Sequence, residues 1–340
     1  MKIAIIADPF IPVPPENYGG IERIIDFLVR GLVANGHQVL LVANENSNID
    51  VPLLKFPKQQ IGVLTHIKNM RTIAKLHCFQ PDVIHSFGRL AYLLPFAYSK
   101  TPKLMSYQRE PTIKQIINAQ KIFRKNTLSF TGCSEYISKQ IMPYAKSTAI
   151  HNGVETFKYD FVSAVDQNAP LVFLGRIEPI KGTHIAIAIA EITGKKLVIA
   201  GNIPPAYQTY FDEEIKPKLS DQINYVGAVN DKQKNLLLGN AIAFLMPIEW
   251  DEPFGIVMAE AMACGTPVIG FRRGAVPEIV KNEQTGFICD TIDDMVSAVN
   301  AIHNINRKLV REDCEKRFSS AIIIEKYLAI YQSANENRYR

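Results

Sequence analysis

Short apolar runs alternate with stretches of helical period along almost the whole chain. Ile3–Ala7 is an unbroken apolar run rich in β-branched side chains, the pattern of a strand covered on both faces. A proline-rich loop, Pro9–Pro15, follows it. Ile21, Ile24, Ile25, Leu28, Val29 and Leu32 then share one helical face, which predicts a helix from about Gly20 that stops at Gly36. Val39–Ala43, Asp82–His85, Lys103–Ser106, Ser129–Gly132 and Ser147–Ile150 repeat the strand signal, with helical stretches between them. This alternation predicts a parallel sheet covered by helices on both faces.

The rhythm pauses over residues 155–168, which are polar and irregular, and restarts at Leu171–Leu174. Lys196–Ala200, Ile223–Val226, Ile242–Met246 and Pro267–Gly270 are the next expected strands. Gly182–Thr193, Asp231–Asn240, Gly255–Cys264 and Ile292–Asn304 are expected helices. The fold class is α/β, with two doubly wound parallel-sheet domains, residues 1–153 and 154–319. Facing each other, two such sheets would form a cleft at the carboxyl ends of their strands, where open α/β folds bind ligands. No repeat of fixed period appears, which excludes a solenoid.

Composition narrows the class. The 340 residues are 47% hydrophobic and 21% charged, ordinary globular usage that excludes disorder and is long enough for a self-sufficient core. The five cysteines are scattered and form no C-x-x-C, which argues against a disulfide scaffold or structural zinc and fits reduced thiols in the cytoplasm. No run approaches the ~20 apolar residues of a membrane span. The opening apolar run ends at Asp8-Pro9, short of the ~7–15 residues of a secretory signal core, so a cytoplasmic chain is expected. The net charge of +5 divides into +8 over residues 1–165 and −3 over 166–340. The basic half either meets an anionic acceptor or membrane surface, or is a plain solvated face. No dense Lys/Arg run with interleaved aromatics points to nucleic acid.

Three motifs carry candidate chemistry. Tyr18-Gly19-Gly20-Ile21-Glu22 joins the first strand to the first helix, where paired glycines and free helix amides suit a bulky anion; a plain helix-entry turn is the alternative. Gly175-Arg176-Ile177-Glu178-Pro179-Ile180-Lys181-Gly182 follows the first strand of the second domain. Arg176 and Lys181 there are either a diphosphate clamp or two surface cations of a loop. In Glu249-Trp250-Asp251-Glu252-Pro253-Phe254-Gly255-Ile256-Val257-Met258-Ala259-Glu260, a helix is expected to start at Phe254 or Gly255. The amides of Phe254, Gly255 and Ile256 would then point into the cleft. Glu252 and Glu260 could each accept hydrogen bonds from vicinal hydroxyls of a sugar or ribose. Trp250, the only tryptophan, either lines the pocket or anchors core or rim.

The pair Glu252 and Glu260 around Pro253-Phe254-Gly255, followed by Ala263-Cys264-Gly265-Thr266-Pro267-Val268-Ile269, resembles the retaining family 4 glycosyltransferases (glycosyl transferase group 1). Phe173-Leu174-Gly175-Arg176 with Lys181-Gly182, His151-Asn152-Gly153-Val154 and Gly19-Gly20-Ile21-Glu22 resemble that family too, in its order, across residues 3 to about 288. The resemblance implies a GT-B fold, two facing Rossmann-like domains with a cleft between them. It implies transfer of a hexose from a nucleoside-diphosphate sugar, with a UDP-sugar favoured, and no cofactor or metal. The acceptor would be a glycan, a lipid-linked compound or a small molecule, anionic or lipid-linked in keeping with the basic half. A monomer or weak dimer with at most peripheral contact at the inner membrane face is expected. The terminal stretch 320–340 would pack back on the first domain.

The resemblance also implies roles. Arg176 and Lys181 would hold the diphosphate and stabilise the leaving nucleotide, and Gly19 and Gly20 would close over the phosphates. Glu260 would bind ribose, while Glu252, helped by the Phe254, Gly255 and Ile256 amides, would bind the migrating sugar. The base would lie against Val226-Gly227. One departure stands out. Many members carry His-x-His after the Asp-Val-Ile strand, whereas Asp82-Val83-Ile84-His85-Ser86-Phe87 has phenylalanine at the second position. Either His85 or another polar group then takes that catalytic place, or the acceptor pocket is built differently and His85 is structural. Arg109 and Glu110, after the next strand, would join Phe87 on the acceptor side. A catalytically silent sugar-nucleotide-binding protein and a GT-B epimerase are the competing functions.

Overall fold

The computed structural model describes residues 1–16, 19–59 and 63–336. Tyr18 of the glycine motif and residues 337–340 of the terminal stretch lie outside the described residues. The chain divides into two compact units. The first is Met1–Asn152 together with the chain from Ser320 onward; the second is Gly153–Ser319.

The first unit is built on a seven-stranded parallel sheet. Its strands are β1 (Lys2–Ile6), β2 (Gln38–Ala43), β3 (Leu53–Lys55), β4 (Val83–Ser86), β5 (Lys103–Tyr107), β6 (Leu128–Gly132) and β7 (Ser147–Ala149). Their spatial order is β3-β2-β1-β4-β5-β6-β7. Strand β1 is an interior strand, between β2 and β4, with Ile3, Ala4, Ile5 and Ile6 all fully buried. The order reverses between β1 and β4, so the loops leaving these two strands part and open a crevice at their carboxyl ends.

The second unit repeats the plan with six strands: β8 (Leu171–Leu174), β9 (Leu197–Ala200), β10 (Ile223–Tyr225), β11 (Ala243–Met246), β12 (Val268–Phe271) and β13 (Gly286–Cys289). The order is β10-β9-β8-β11-β12-β13, with every pairing parallel. Here the reversal lies between β8 and β11, which pair through Ala243 with Leu171 and Phe244 with Val172. Neighbouring parallel strands end together, so the loop after β8 and the loop after β11 meet although they are far apart in sequence.

Two edge strands, β3 and β13, have no counterpart among the strands expected from the sequence. β3 has only three residues, none fully buried, and β13 begins at a glycine and leaves Phe287 and Ile288 half-buried. Neither reads as an apolar run. The first helix, Gly20–Ala34, buries Ile24, Ile25, Leu28, Val29 and Leu32 as its period requires. The last helix, Ser320–Glu336, buries Ile323, Tyr327 and Tyr331 and packs on the first helix and on β4. Ile324 of that helix lies so close to Gly31 that a Cβ there would sit 2.2 Å from its Cδ1. No helix among the described residues is long and apolar enough to cross a membrane.

Candidate active site

In the second unit the loop after β8 carries Arg176 and Lys181, and the loop after β11 carries Trp250 and Glu252. Backbone contacts lock the loops together. Gly182 adopts φ 73°, and a Cβ there would lie 1.9 Å from the Pro247 carbonyl oxygen, so only glycine lets the two chains touch. The Glu249 amide donates to the Ile180 carbonyl at 2.9 Å. A third loop, after β12, closes on the same place: the Ala275 amide donates to the Glu252 carbonyl at 2.8 Å, and Gly274 donates to Asp251 at 3.1 Å.

Within that frame Lys181 Nζ donates to Glu252 Oε2 at 2.7 Å. The indole N–H of Trp250 donates to the same oxygen at 3.0 Å, and the Lys181 ammonium lies 4.6 Å from the indole ring centroid. Glu252 is 9% exposed. A carboxylate so enclosed needs compensation, and one cation plus one neutral donor supply it. Its Oε1 has no partner among the described residues.

Glu260 repeats the arrangement. It sits on the helix Ile256–Ala263 and is buried. Lys234 and the Tyr159 hydroxyl both donate to its Oε1, the latter at 2.7 Å. Lys234 lies 5.8 Å from the Tyr159 ring centroid. Oε2 is again without a partner among the described residues. Both carboxylates of the motif are thus held by a lysine and an aromatic donor on one oxygen, with the other left over.

The helix begins at Ile256 rather than at Phe254 or Gly255. Gly255, at φ 79°, turns the chain into it, a conformation that Phe254 could not supply in its place. The amides of Gly255 and Ile256 have no hydrogen-bond partner among the described residues, as first-turn amides do not within a helix. Arg176 pairs with Glu178 at 2.8 Å and its side chain is 42% exposed. Val226 and Gly227 follow β10, where the Gly227 carbonyl accepts from the Gly201 amide at 2.8 Å. Sequence reasoning missed Lys234 and Tyr159, which lie outside every motif and are joined to Glu260 only by the fold.

The first unit holds a cavity of about 890 Å³ at its own strand reversal, lined from β1's loop by Asp8, from the first helix by Glu22, and after β4 and β5 by Phe87, Arg89, Arg109 and Glu110. Phe87, Arg109 and Glu110 are therefore brought together. Glu110 also accepts from the Tyr136 hydroxyl at 3.3 Å. Gly19 and Gly20 are not among the lining residues; Gly19 turns the chain at φ 154° into the helix that Gly20 opens. Burial raises the carboxyl of Asp8, opposed by its neighbours Arg89 and Arg109. Burial pushes the Glu22 carboxyl up to about 7, with the Asp8 charge adding to it. Sequence reading quoted Glu22 but gave it no role, and Asp8 was read only as ending an apolar run.

His85 is a correction to the expected catalytic set. It is fully buried, does not line the cavity, and has both ring nitrogens engaged: Nδ1 with the Tyr331 hydroxyl and Nε2 with Ser106 Oγ, each at 2.6 Å. Phe87 lines the cavity instead, its ring centroid 4.1 Å from that of His85. Burial holds the imidazole neutral, with its pKa lowered to about 3. His85 ties the sheet to the last helix.

Residues 157–317 match the family model of the group 1 glycosyl transferases. The glycogen synthase of Mycobacterium tuberculosis is 32% identical over 85% of this chain and 83% of its own length. The phosphatidylinositol N-acetylglucosaminyltransferase gpi3 subunit of Schizosaccharomyces pombe is 24% identical over 99% of this chain and 82% of its length. Among solved structures, Anabaena HepE in complex with UDP and glucose superposes with a TM-score of 0.76 at 17% identity, over 98% of this chain and all of that one. The two parallel-sheet units are those of the GT-B fold. The chain belongs to the group 1 glycosyltransferases and is an enzyme of that family.

Proposed function

We propose that the enzyme is a retaining transferase that moves a hexose from a nucleoside-diphosphate sugar, UDP-sugars foremost, to a hydroxyl of an acceptor bound by the first unit. The observation that carries this reading is the matched pair of held carboxylates, Glu252 beside Lys181 at the helix entrance and Glu260, held by Lys234 and Tyr159, on the helix itself. Each leaves one oxygen for a ligand hydroxyl. Glu260 would take the ribose and Glu252 the migrating sugar, with the base against Val226-Gly227.

In the reaction the bond from the anomeric carbon to the β-phosphate oxygen breaks. A bond from that carbon to the acceptor oxygen forms on the same face, and the acceptor's proton passes to the departing phosphate. Negative charge grows on the leaving diphosphate. Arg176, Lys181 and the helix amides would stabilise it where it develops. Both cations carry carboxylate partners in the protein, so the diphosphate would take Arg176 from Glu178 and share Lys181 with Glu252. The relatives support the donor class: HepE was solved with UDP and glucose, and the gpi3 subunit is named for an N-acetylglucosaminyl transfer.

The positive charge comes from side chains in this reading, so we propose that no metal or cofactor is needed. A melting-temperature panel of nucleotide sugars, followed by donor turnover with and without acceptors, tests the reading. Stabilisation by a UDP-sugar and acceptor-dependent UDP release are expected. UDP release with no transfer product in the presence of every acceptor class would overturn it.

A further inference from the structure

We propose that the first-unit cavity takes an amphipathic acceptor, a hydroxyl-bearing head against its polar wall joined to a hydrocarbon tail along its rim. The inference rests on the transferase reading above and fixes the acceptor's chemical class.

The polar wall has groups waiting for partners. The Tyr107 hydroxyl and both amide atoms of Gln108 are buried with no hydrogen-bond partner among the described residues, and both residues line the cavity. Tyr107 is only 7% exposed. Folded proteins seldom leave such atoms unpaired, and here three of them belong to two consecutive residues that line the cavity. Beside them Asp8 and Glu22 offer carboxyl oxygens to hydroxyls.

The rim is the opposite. Phe10, Leu94 and Ile122 line the same cavity and are 61%, 41% and 45% exposed. They come from three separate segments: the loop after β1, the turn after β4 and the helix Ile113–Ile122. Single exposed apolar side chains are ordinary, but three converging from separate segments on one opening make a patch. A wholly hydrophilic glycan would leave that rim unused. A wholly apolar molecule would cover the Asp8 carboxyl and the Arg109 guanidinium without pairing them, which is costly. A molecule with both parts uses the whole surface.

The test measures binding of matched methyl and octyl glycosides of glucose, galactose, mannose and N-acetylglucosamine to the full chain, below micelle-forming concentrations. At least one octyl glycoside should bind about tenfold more tightly than its methyl partner, the gain expected from burying a few methylenes. In the double variant Leu94→Ser/Ile122→Ser that advantage should fall by more than half. An octyl advantage below tenfold for every head, or one that survives the double variant intact, overturns the proposal. UDP binding, followed in the same samples of the unaltered protein, reports separately on the donor reading.

Discussion

Lys181 and Glu252, 71 positions apart, meet at 2.7 Å because β8 and β11 are neighbours at the strand reversal of the second unit. Trp250 completes the pair by donating to Glu252 and lying under the ammonium. Trp250→Phe keeps an aromatic ring and removes the donor. A hydrogen bond to a charged group contributes about 1.5–3 kcal/mol. Turnover should fall at least about tenfold if Glu252 must be held still in the transition state. UDP affinity should stay unchanged. Steady-state kinetics beside UDP titration checks this, and unchanged turnover would remove Trp250 from the site.

Glu252 and Glu260 should fail in different ways. Ribose is held equally before and during transfer, so Glu260→Gln should raise the donor KM by about tenfold or more with kcat little changed. The migrating sugar changes position and charge, so Glu252→Gln should lower kcat and leave UDP affinity near normal. If both variants keep ordinary kinetics, the two groups merely support a helix entrance and the site assignment is wrong.

Arg176 and Lys181 are assigned the charge of the leaving diphosphate, so a chelator should leave turnover intact. Activity lost in chelator and restored by magnesium or manganese would contradict the assignment. Lys181→Met should depress both UDP affinity and turnover, because it also strands the enclosed Glu252 carboxylate without its cation.

Glu22 makes stability depend on pH. In the folded chain its carboxyl titrates at about 7, against 4.5 when exposed. Between those values the folded state keeps a proton that the unfolded chain releases. Stability therefore falls as pH rises through this window, by about 1.4 kcal/mol per unit and about 3 kcal/mol in all. Glu22→Gln removes the titration. The variant should melt above the unaltered protein at pH 8 and approach it below pH 5. Parallel melting curves across that range would refute the account.

Tyr331→Phe should cost about 1–3 kcal/mol, because it leaves a ring nitrogen of the fully buried His85 without its partner. The loss should appear in denaturant unfolding. Ending the chain at 319 should be more severe, since Ile323, Tyr327 and Tyr331 are almost wholly buried against the first unit. Such a protein should aggregate. A well-behaved truncated enzyme with full activity would show that the last helix is dispensable.

The amino-acid pattern carried most of the second unit's site. Lys181 and Glu252 lie in strand-to-helix loops and Glu260 on the helix that follows the second of them, and the glycines, proline and cations of these stretches are visible as motifs. The partners of Glu260 were illegible, because Tyr159 lies in an irregular stretch and Lys234 on a helix with no special signature. They converge only in three dimensions. His85 misled for a related reason: a histidine at a strand end looks like a catalytic group until both its nitrogens are found engaged. Tyr331, which pairs with His85, and Tyr327, whose hydroxyl lies 3.4 Å from Ser106 Oγ, belong to a terminal stretch whose pattern does not mark them as hydrogen-bonding groups. The edge strands β3 and β13 escaped because short, half-covered strands carry too few apolar residues to form a run.

The last helix has a consequence for how the protein is made. The first unit is not continuous along the chain: all of Gly153–Ser319 is synthesised between its main body and the helix that covers β4 and the first helix. On the ribosome the sheet β1–β7 emerges before the last helix, and the side of His85 that Tyr331 occupies stays open until that helix has followed the whole second unit. The second unit is contiguous along the chain. Its two ends are already pinned side by side, the Val154 amide donating to the Phe318 carbonyl at 2.8 Å. The second unit is complete in chain order before the first, whose Ile323, Tyr327 and Tyr331 arrive only with the last helix.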